Sequence, residues 1–431
     1  MRTSNLRRTE HSLGRNSLTP PEIQLYVRQI VLSSGERLPL LCDAATGQPL
    51  LEPLLYALTE LRARGRSTAT IRHAMEAVML LLFVLGRMGI DLRSRLRAGL
   101  LFDPHELDLI VRSLSIRMFA FKGASALHYL NASHDENLVA RETAANRLLY
   151  IHSYLVWLTQ SELLRLNPKS KAYEQVRFHF ETACSILKAR APCTATRNLV
   201  GERQGLDEAD VRRVKELLNT SPICASNERS HTGVRNSLII RLLFELGIRR
   251  GELLGIKTSD IDFRQNTVLI SRRADAKDDP RPRQPLTKTN GRLLPISHEL
   301  ADAAYEYICQ FRKSQPNASR HEYLIVASYS GRPLSLNAVN KVFVTLRKKV
   351  PELSKSFTPH VLRHTWNDRF SETMDEANLN EEQEKKIRSR LMGWSETSGT
   401  AAIYTRRFIQ RKATKALLAM QGGLQVGKVK P

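Results

Sequence analysis

Between residues 52 and 190 apolar side chains recur at helical spacing, and nothing alternates with the period of two that a strand requires. Ser67 is placed to cap a helix over 70–87, rich in apolar residues and closed near Gly86 and Gly89. Residues 141–166 present Leu148, Ile151, Leu155 and Leu158 three and four apart, one stripe on one face. A third helix is expected over 172–189. Helices patterned this way bury their stripes against one another, so an all-helical domain is expected over 52–190. The second half reads differently. Asp207 caps a helix over 208–218, with Asp207 and Asp210 near its positive end. A helix over 235–246 follows, then a strand pair, 267–272 with 291–296, and further helices including one over 337–349. The expected fold class is mainly α with a small antiparallel β-sheet: a helical N-terminal domain, then a mixed α/β domain.

The joints between these regions are basic or polar. Residues 1–16 carry Arg2, Arg7, Arg8 and Arg15 against Glu10, a basic arm opening a weakly structured segment, 1–51. The one element expected there is a short hairpin, Val31-Leu32 with Leu38–Leu41, turning at Ser33-Ser34-Gly35. Arg190-Ala191-Pro192 opens a linker running over 191–205. The mixed domain then spans 206–410, and a basic tail, 411–431, ends the sequence.

Composition excludes several classes. With 42% hydrophobic and 25% charged residues the chain has the balance of a folded protein rather than a disordered one. The longest apolar run, Ala77 to Leu85, is short of the about 20 residues a membrane helix needs, and no cleavable leader opens the sequence. Neither membrane insertion nor secretion is expected. The five cysteines form no CxxC pair, which points to buried, reduced thiols in a cytosolic protein rather than disulfides or a thiolate zinc site. Lys plus Arg number 66 against 43 Asp plus Glu, a formal charge of +23, and polyphosphate is the commonest partner for such an excess. Charge alone leaves ribosomal, RNA-binding and DNA-binding readings open.

Four places in the second half carry residues suited to phosphate chemistry. In Gly247-Ile248-Arg249-Arg250-Gly251-Glu252, Arg249 and Glu252 share a helical face, and a guanidinium held by a carboxylate is a rigid fork for two phosphate oxygens. The basic turn between the strands holds Lys277, Arg281, Arg283, Lys288 and Arg292; a lysine there can donate a proton to a leaving oxygen, or merely touch phosphates. In Thr358-Pro359-His360-Val361-Leu362-Arg363-His364-Thr365, His360 and Arg363 lie three apart just after a helix-starting proline. Finally Leu391-Met392-Gly393-Trp394 precedes Ile403-Tyr404-Thr405-Arg406, with an indole N–H and a phenol. Taken singly, these are also what surface ion pairs, basic loops and half-buried aromatics look like.

Their chain order, Arg, Lys, His-x-x-Arg, Trp, Tyr, narrows the choice. In that order the sequence resembles the tyrosine recombinase (phage integrase) family over roughly 201–410. More loosely, the helical region before it is similar to that family's core-binding domain. Flanking residues agree: Glu252-Leu253-Leu254 and Ser259-Asp260-Ile261-Asp262 before the first strand, and Gly331-Arg332-Pro333-Leu334-Ser335 before a helix. The resemblance implies that Tyr404 attacks a DNA phosphodiester to form a 3′-phosphotyrosyl bond, releasing a 5′-hydroxyl. Arg249 and Arg363 would stabilise the transition-state charge, Lys288 would protonate the leaving oxygen, and His360 would assist proton transfer at the tyrosine. Trp394 stands where most members carry a second histidine. Arg249 is preferred to Arg250, and Lys288 to Lys277. The acidic residues Glu372, Asp375, Glu376, Glu381, Glu382 and Glu384 read as one helix, 371–388, turned away from DNA.

The same resemblance implies a cytoplasmic, bacterial, nucleoid-associated enzyme of a mobile element, integrating or excising DNA without any cofactor or metal. Double-stranded DNA would lie against both domains. The helical one would offer Arg62, Arg64, Arg66 and Arg72; the second, Arg281, Arg283, Arg292 and Lys341. A homo-tetramer on paired sites, or a hetero-assembly with other recombinases, would use Leu417, Leu418 and Met420 of the tail as anchors. Two other classes stay open: a catalytically silent DNA-binding accessory protein of the same fold, and a type IB topoisomerase-like enzyme.

Overall fold

The structure, a computed structural model, describes residues 24–118, 138–193, 205–220, 230–285, 287, 289–395, 413–414 and 416–421. These are mostly helical with two small antiparallel sheets. The chain divides into two compact units, residues 1–30 with 37–197 and residues 31–36 with 198–431.

In the first unit β1 (Leu25–Val31) and β2 (Arg37–Asp43) pair as a hairpin, longer than the residues around Ser33-Ser34-Gly35 suggest. Helix α1 (Leu51–Tyr56) continues into a π-helical stretch, Ala57–Arg62. Ser67 caps α2 (Thr68–Arg87), its hydroxyl accepting the Thr70 N–H at 3.2 Å. By length and composition α2 could cross a membrane. However, Ile71, Ala74, Met75, Val78 and Leu81 are fully buried and belong to the unit's core, the pattern of a core helix. Each such large aliphatic contributes about 1.5–3 kcal/mol by leaving water. After α3 (Leu92–Arg97), α4 (Pro104–Leu114) starts at a capping box: Asp103 and Glu106 bond each other's backbone N–H, with Pro104 at the first helical position. Arg95 clamps the Glu106 carboxylate with two bonds of 2.7 Å. Helices α5 (Arg141–Leu163) and α6 (Lys171–Ala189) close the unit, with α5 packed along α2.

The second unit opens on α7 (Glu208–Thr220), with Asp207 accepting the Asp210 N–H. At its centre is α8 (His231–Leu246), with Leu238, Ile239, Leu242 and Leu243 buried. A short turn of helix, α9 (Arg250–Leu253), leads to a three-stranded antiparallel sheet ordered β3 (Ile261–Asp262), β4 (Thr267–Ile270), β5 (Arg292–Pro295). The register pairs Val268 with Leu294 and Ile270 with Arg292. Strand alternation therefore puts Val268, Ile270, Arg292 and Leu294 on the buried face, and Leu269 and Leu293 on the exposed one. Helix α10 (His298–Glu306) runs into a π-helical segment, Tyr307–Arg312, and α11 (Leu336–Lys349) follows.

Two expectations are corrected here. The acidic stretch is not one helix. α12 (Pro359–Glu376) ends, Asn378 takes a left-handed φ of 56°, and Asn380 with Gln383 forms the capping box that starts α13 (Glu381–Met392). Glu384 is buried and bonded to Ser371 and Arg388, so it is not on an acidic outer face; Glu372, Asp375, Glu376, Glu381 and Glu382 are exposed. Nor are the thiols uniformly buried: Cys42 and Cys184 are, Cys193 and Cys309 are exposed, and Cys224 lies outside the described residues.

Candidate active site

The site is built around one carboxylate. Helix α8 stops at Gly247, whose φ of 61° suits glycine and whose Cβ would strike the Trp366 ring at 2.6 Å. Ile248 is buried, and the chain turns at Arg249 into α9. The third residue of that turn, Glu252, reaches back to cap it. Glu252 Oε2 accepts the Arg249 backbone N–H at 3.0 Å and Arg292 Nη2 at 2.8 Å. Oε1 accepts Arg249 Nη1 at 3.2 Å and the Thr289 hydroxyl at 2.7 Å.

The Glu252 side chain is 0% exposed. Burial by itself pushes its carboxyl up, but the Arg292 and Arg363 charges, with the Arg292 and Thr289 hydrogen bonds, outweigh that and hold it below the usual carboxylate range. It therefore stays ionised and orients the cations about it.

Arg363 comes from α12, which Thr358 caps and Pro359 begins. It is 2% exposed and donates to the Gly247 carbonyl at 2.7 Å, so the glycine that ends α8 also seats this guanidinium. Trp394 follows α13, which closes at Gly393 with φ 66°. Its indole lies 5.4 Å from the Arg363 guanidinium, a cation–π contact. His360 is exposed one helical turn before Arg363, its Nε2 3.1 Å from His364 Nε2; one ring donates and the other accepts. The sequence-expected Arg249, Arg363 and Trp394 thus converge around Glu252, with His360 on the same helix as Arg363. Arg250 instead bonds Asn340 of α11. Lys288 and Tyr404 lie outside the described residues, but Thr289, next to Lys288, is anchored on Glu252.

Residues 208–411 match the phage integrase family. This stretch is a phage integrase family domain. Among its relatives, tyrosine recombinase XerD of Halalkalibacterium halodurans is 28% identical over 195 residues, 45% of this chain and 55% of that protein. Tyrosine recombinase XerA of Thermococcus kodakarensis is 28% identical over 202 residues, 46% and 58% of the two. The chain thus spans a little over half the length of these curated relatives. Among solved structures, XerH site-specific recombinase bound to difH substrate aligns with a TM-score of 0.46 and 14% identity, over 84% of this chain and 93% of that one. XerA recombinase aligns at 0.36 and 15%, over 85% and 96%.

Within the phage integrase domain, two arginines expected to touch DNA do something else. Arg281 is buried, its guanidinium bonded to Asp279 and to the carbonyls of Leu254 and Leu334 while lying over the Tyr323 ring. Arg292 is buried on the core face of β5 and bonded to Glu252. In both, all three guanidinium nitrogens are bonded to protein groups, which leaves neither to hold a phosphate. Arg283 and Lys341 are exposed. In the first unit Arg64 and Arg66 are exposed, whereas Arg62 donates to the Arg37 carbonyl and Arg72 to Gln29, both half-buried. Thr289 and the inward-facing Arg292 are further residues of the site, both bonded to Glu252. The signal for Arg292 was present, since period two puts it on the face of Leu294.

Proposed function

We propose that the chain is a site-specific DNA recombinase of the tyrosine class, cutting and rejoining strands through a 3′-phosphotyrosyl intermediate during integration or excision of a mobile element. The observation that carries the reading is the convergence of Arg249, Arg363 and Trp394 about the buried Glu252, with the residue after Lys288 tied to the same carboxylate. Two held guanidiniums at one locus suit the extra negative charge of a five-coordinate phosphorus, where each well-placed donor contributes about 3–4 kcal/mol. In this reading Tyr404 attacks phosphorus, His360 assists removal of its proton, Lys288 protonates the leaving 5′-oxygen, and Trp394 donates to a phosphate oxygen. Arg64, Arg66, Arg283 and Lys341 hold duplex DNA through its phosphates. The helical DNA-binding domain, 52–190, takes in the β1–β2 hairpin before it, the catalytic domain spans 206–410, the assembly is a tetramer on paired sites, alone or with other recombinases, and the protein works in a bacterial cytoplasm on nucleoid DNA. Relatives named tyrosine recombinases support the chemistry.

The test is Tyr404→Phe. The wild-type chain, incubated with a nicked duplex pool of random sequence, should yield detergent-resistant, protease-sensitive adducts whose sequencing defines the site. The Phe variant should bind that site with unchanged affinity and form none; adducts from it would overturn the assignment. Relaxation of arbitrary supercoiled plasmid without recombinant products would favour the topoisomerase-like reading instead.

A further inference from the structure

Arg292 ties together three stretches of chain that are far apart in sequence. Its Nη2 donates to Glu252 Oε2 at 2.8 Å, its Nη1 to the Thr289 hydroxyl at 3.2 Å, and its Nε to the Leu391 carbonyl at 2.6 Å. The last of these lies at the end of α13, just before Gly393 and Trp394. There the fit is close. The Asn290 N–H donates to the Gly393 carbonyl at 2.9 Å, and a Cβ on Gly393 would meet Asn290 O at 2.8 Å and Arg292 Nη1 at 2.9 Å. One buried, planar side chain therefore sets the spacing between the Arg249–Glu252 turn, the segment that follows Lys288, and the turn that carries Trp394. A lysine has a single nitrogen and cannot reproduce that three-way fork.

We propose that Arg292 is a positioning residue for the general acid: by locking Thr289 and Asn290 against Glu252 and the end of α13, it fixes the point from which Lys288 reaches the leaving oxygen. This rests on the strand-transfer reading above. In that step the Tyr404 oxygen bonds to phosphorus and its proton passes to a base. The phosphorus–O5′ bond breaks with its electron pair on oxygen, and that oxygen takes the proton from Lys288. A loosened lysine would slow proton delivery, whereas Arg363, seated on the Gly247 carbonyl, would still stabilise charge.

The experiment compares full-length Arg292→Gln with wild type in single-turnover cleavage of two duplexes carrying the captured site, one with the natural 5′-oxygen and one with sulfur at that bridging position. A thiolate leaves without protonation because thiols are far more acidic than alcohols. Arg292→Gln should lose about 100-fold on the oxygen substrate, within the range of general acid catalysis, and only a few-fold on the sulfur one. Arg249→Gln should lose similarly on both. Thr289→Val, which keeps Arg292 and removes one hydroxyl, and Arg292→Lys should show the same sulfur rescue with a smaller deficit. They decide the matter if Arg292→Gln does not fold. Equal losses on both substrates, or no loss, would overturn the proposal. A wild-type chain that forms no adduct on any duplex defeats the strand-transfer reading itself, an outcome separate from either result.

Discussion

Glu252 shows how much one side chain can be asked to do. It caps a helical turn, pairs two arginines and binds a threonine, all while fully out of water. Removing one partner of a buried ion pair typically costs about 3–5 kcal/mol, because the remaining charge stays desolvated. Glu252→Gln should therefore lower the urea midpoint of the chain by a corresponding amount, measured by circular dichroism, and abolish adduct formation. His231 makes a different prediction. Its ring contacts the Ser328 hydroxyl at 3.0 Å and the Tyr307 hydroxyl at 3.4 Å, and burial followed by the nearby Arg235 charge pushes its pKa down to about 4. A histidine that is neutral when folded contributes its stability fully above the ordinary value near 6.5. That stability erodes as pH falls from there towards about 4, since the unfolded chain takes up the proton first. Urea midpoints followed from pH 7 to pH 4 should fall more steeply for wild type than for His231→Gln.

At the scale of elements, Gly247 and Gly393 hold the site's framework. Gly393 ends α13 in a left-handed conformation and has backbone against the place where a Cβ would go. Gly393→Ala should cost at least the about 1–2 kcal/mol of a left-handed non-glycine residue, with the clash added. It should also displace Trp394, read as a loss of adduct rate beyond what the midpoint shift explains. By contrast, Asp103→Ala in the first unit should cost about 1 kcal/mol through loss of the α4 cap and leave cleavage unchanged. Caps of this kind were legible beforehand: Ser67, Asp207 and Thr358–Pro359 each announce a helix start through the first few residues alone. The break between α12 and α13 was not, because acidic residues continue through it. What splits the stretch is an Asn380–Gln383 capping box together with a buried Ser371–Glu384–Arg388 contact, which depends on two helices folding back on each other.

Across the whole molecule, a charge of +23 would make the proposed DNA binding a function of salt. Lys341→Ala and Arg283→Ala, both exposed, should each reduce the slope of log affinity against log salt by about 0.9, measured by fluorescence anisotropy on the captured site. Arg281→Ala should leave the slope unchanged and lower the unfolding midpoint, since that guanidinium is spent on Asp279 and two carbonyls.

By itself the sequence determined the three long helices of the first unit, the β4–β5 pair and the order of reactive residue types, because periodicity, caps and chain order are properties of neighbours along the chain. Only the tertiary structure decided which arginines face solvent and which lock the site. Arg281, Arg283 and Arg292 are alike in composition and belong to one basic turn, yet one braces two carbonyls, one is exposed and one grips Glu252. The role of a charge depends on the dielectric and the partners around it, and folding draws those partners from segments far apart in the chain.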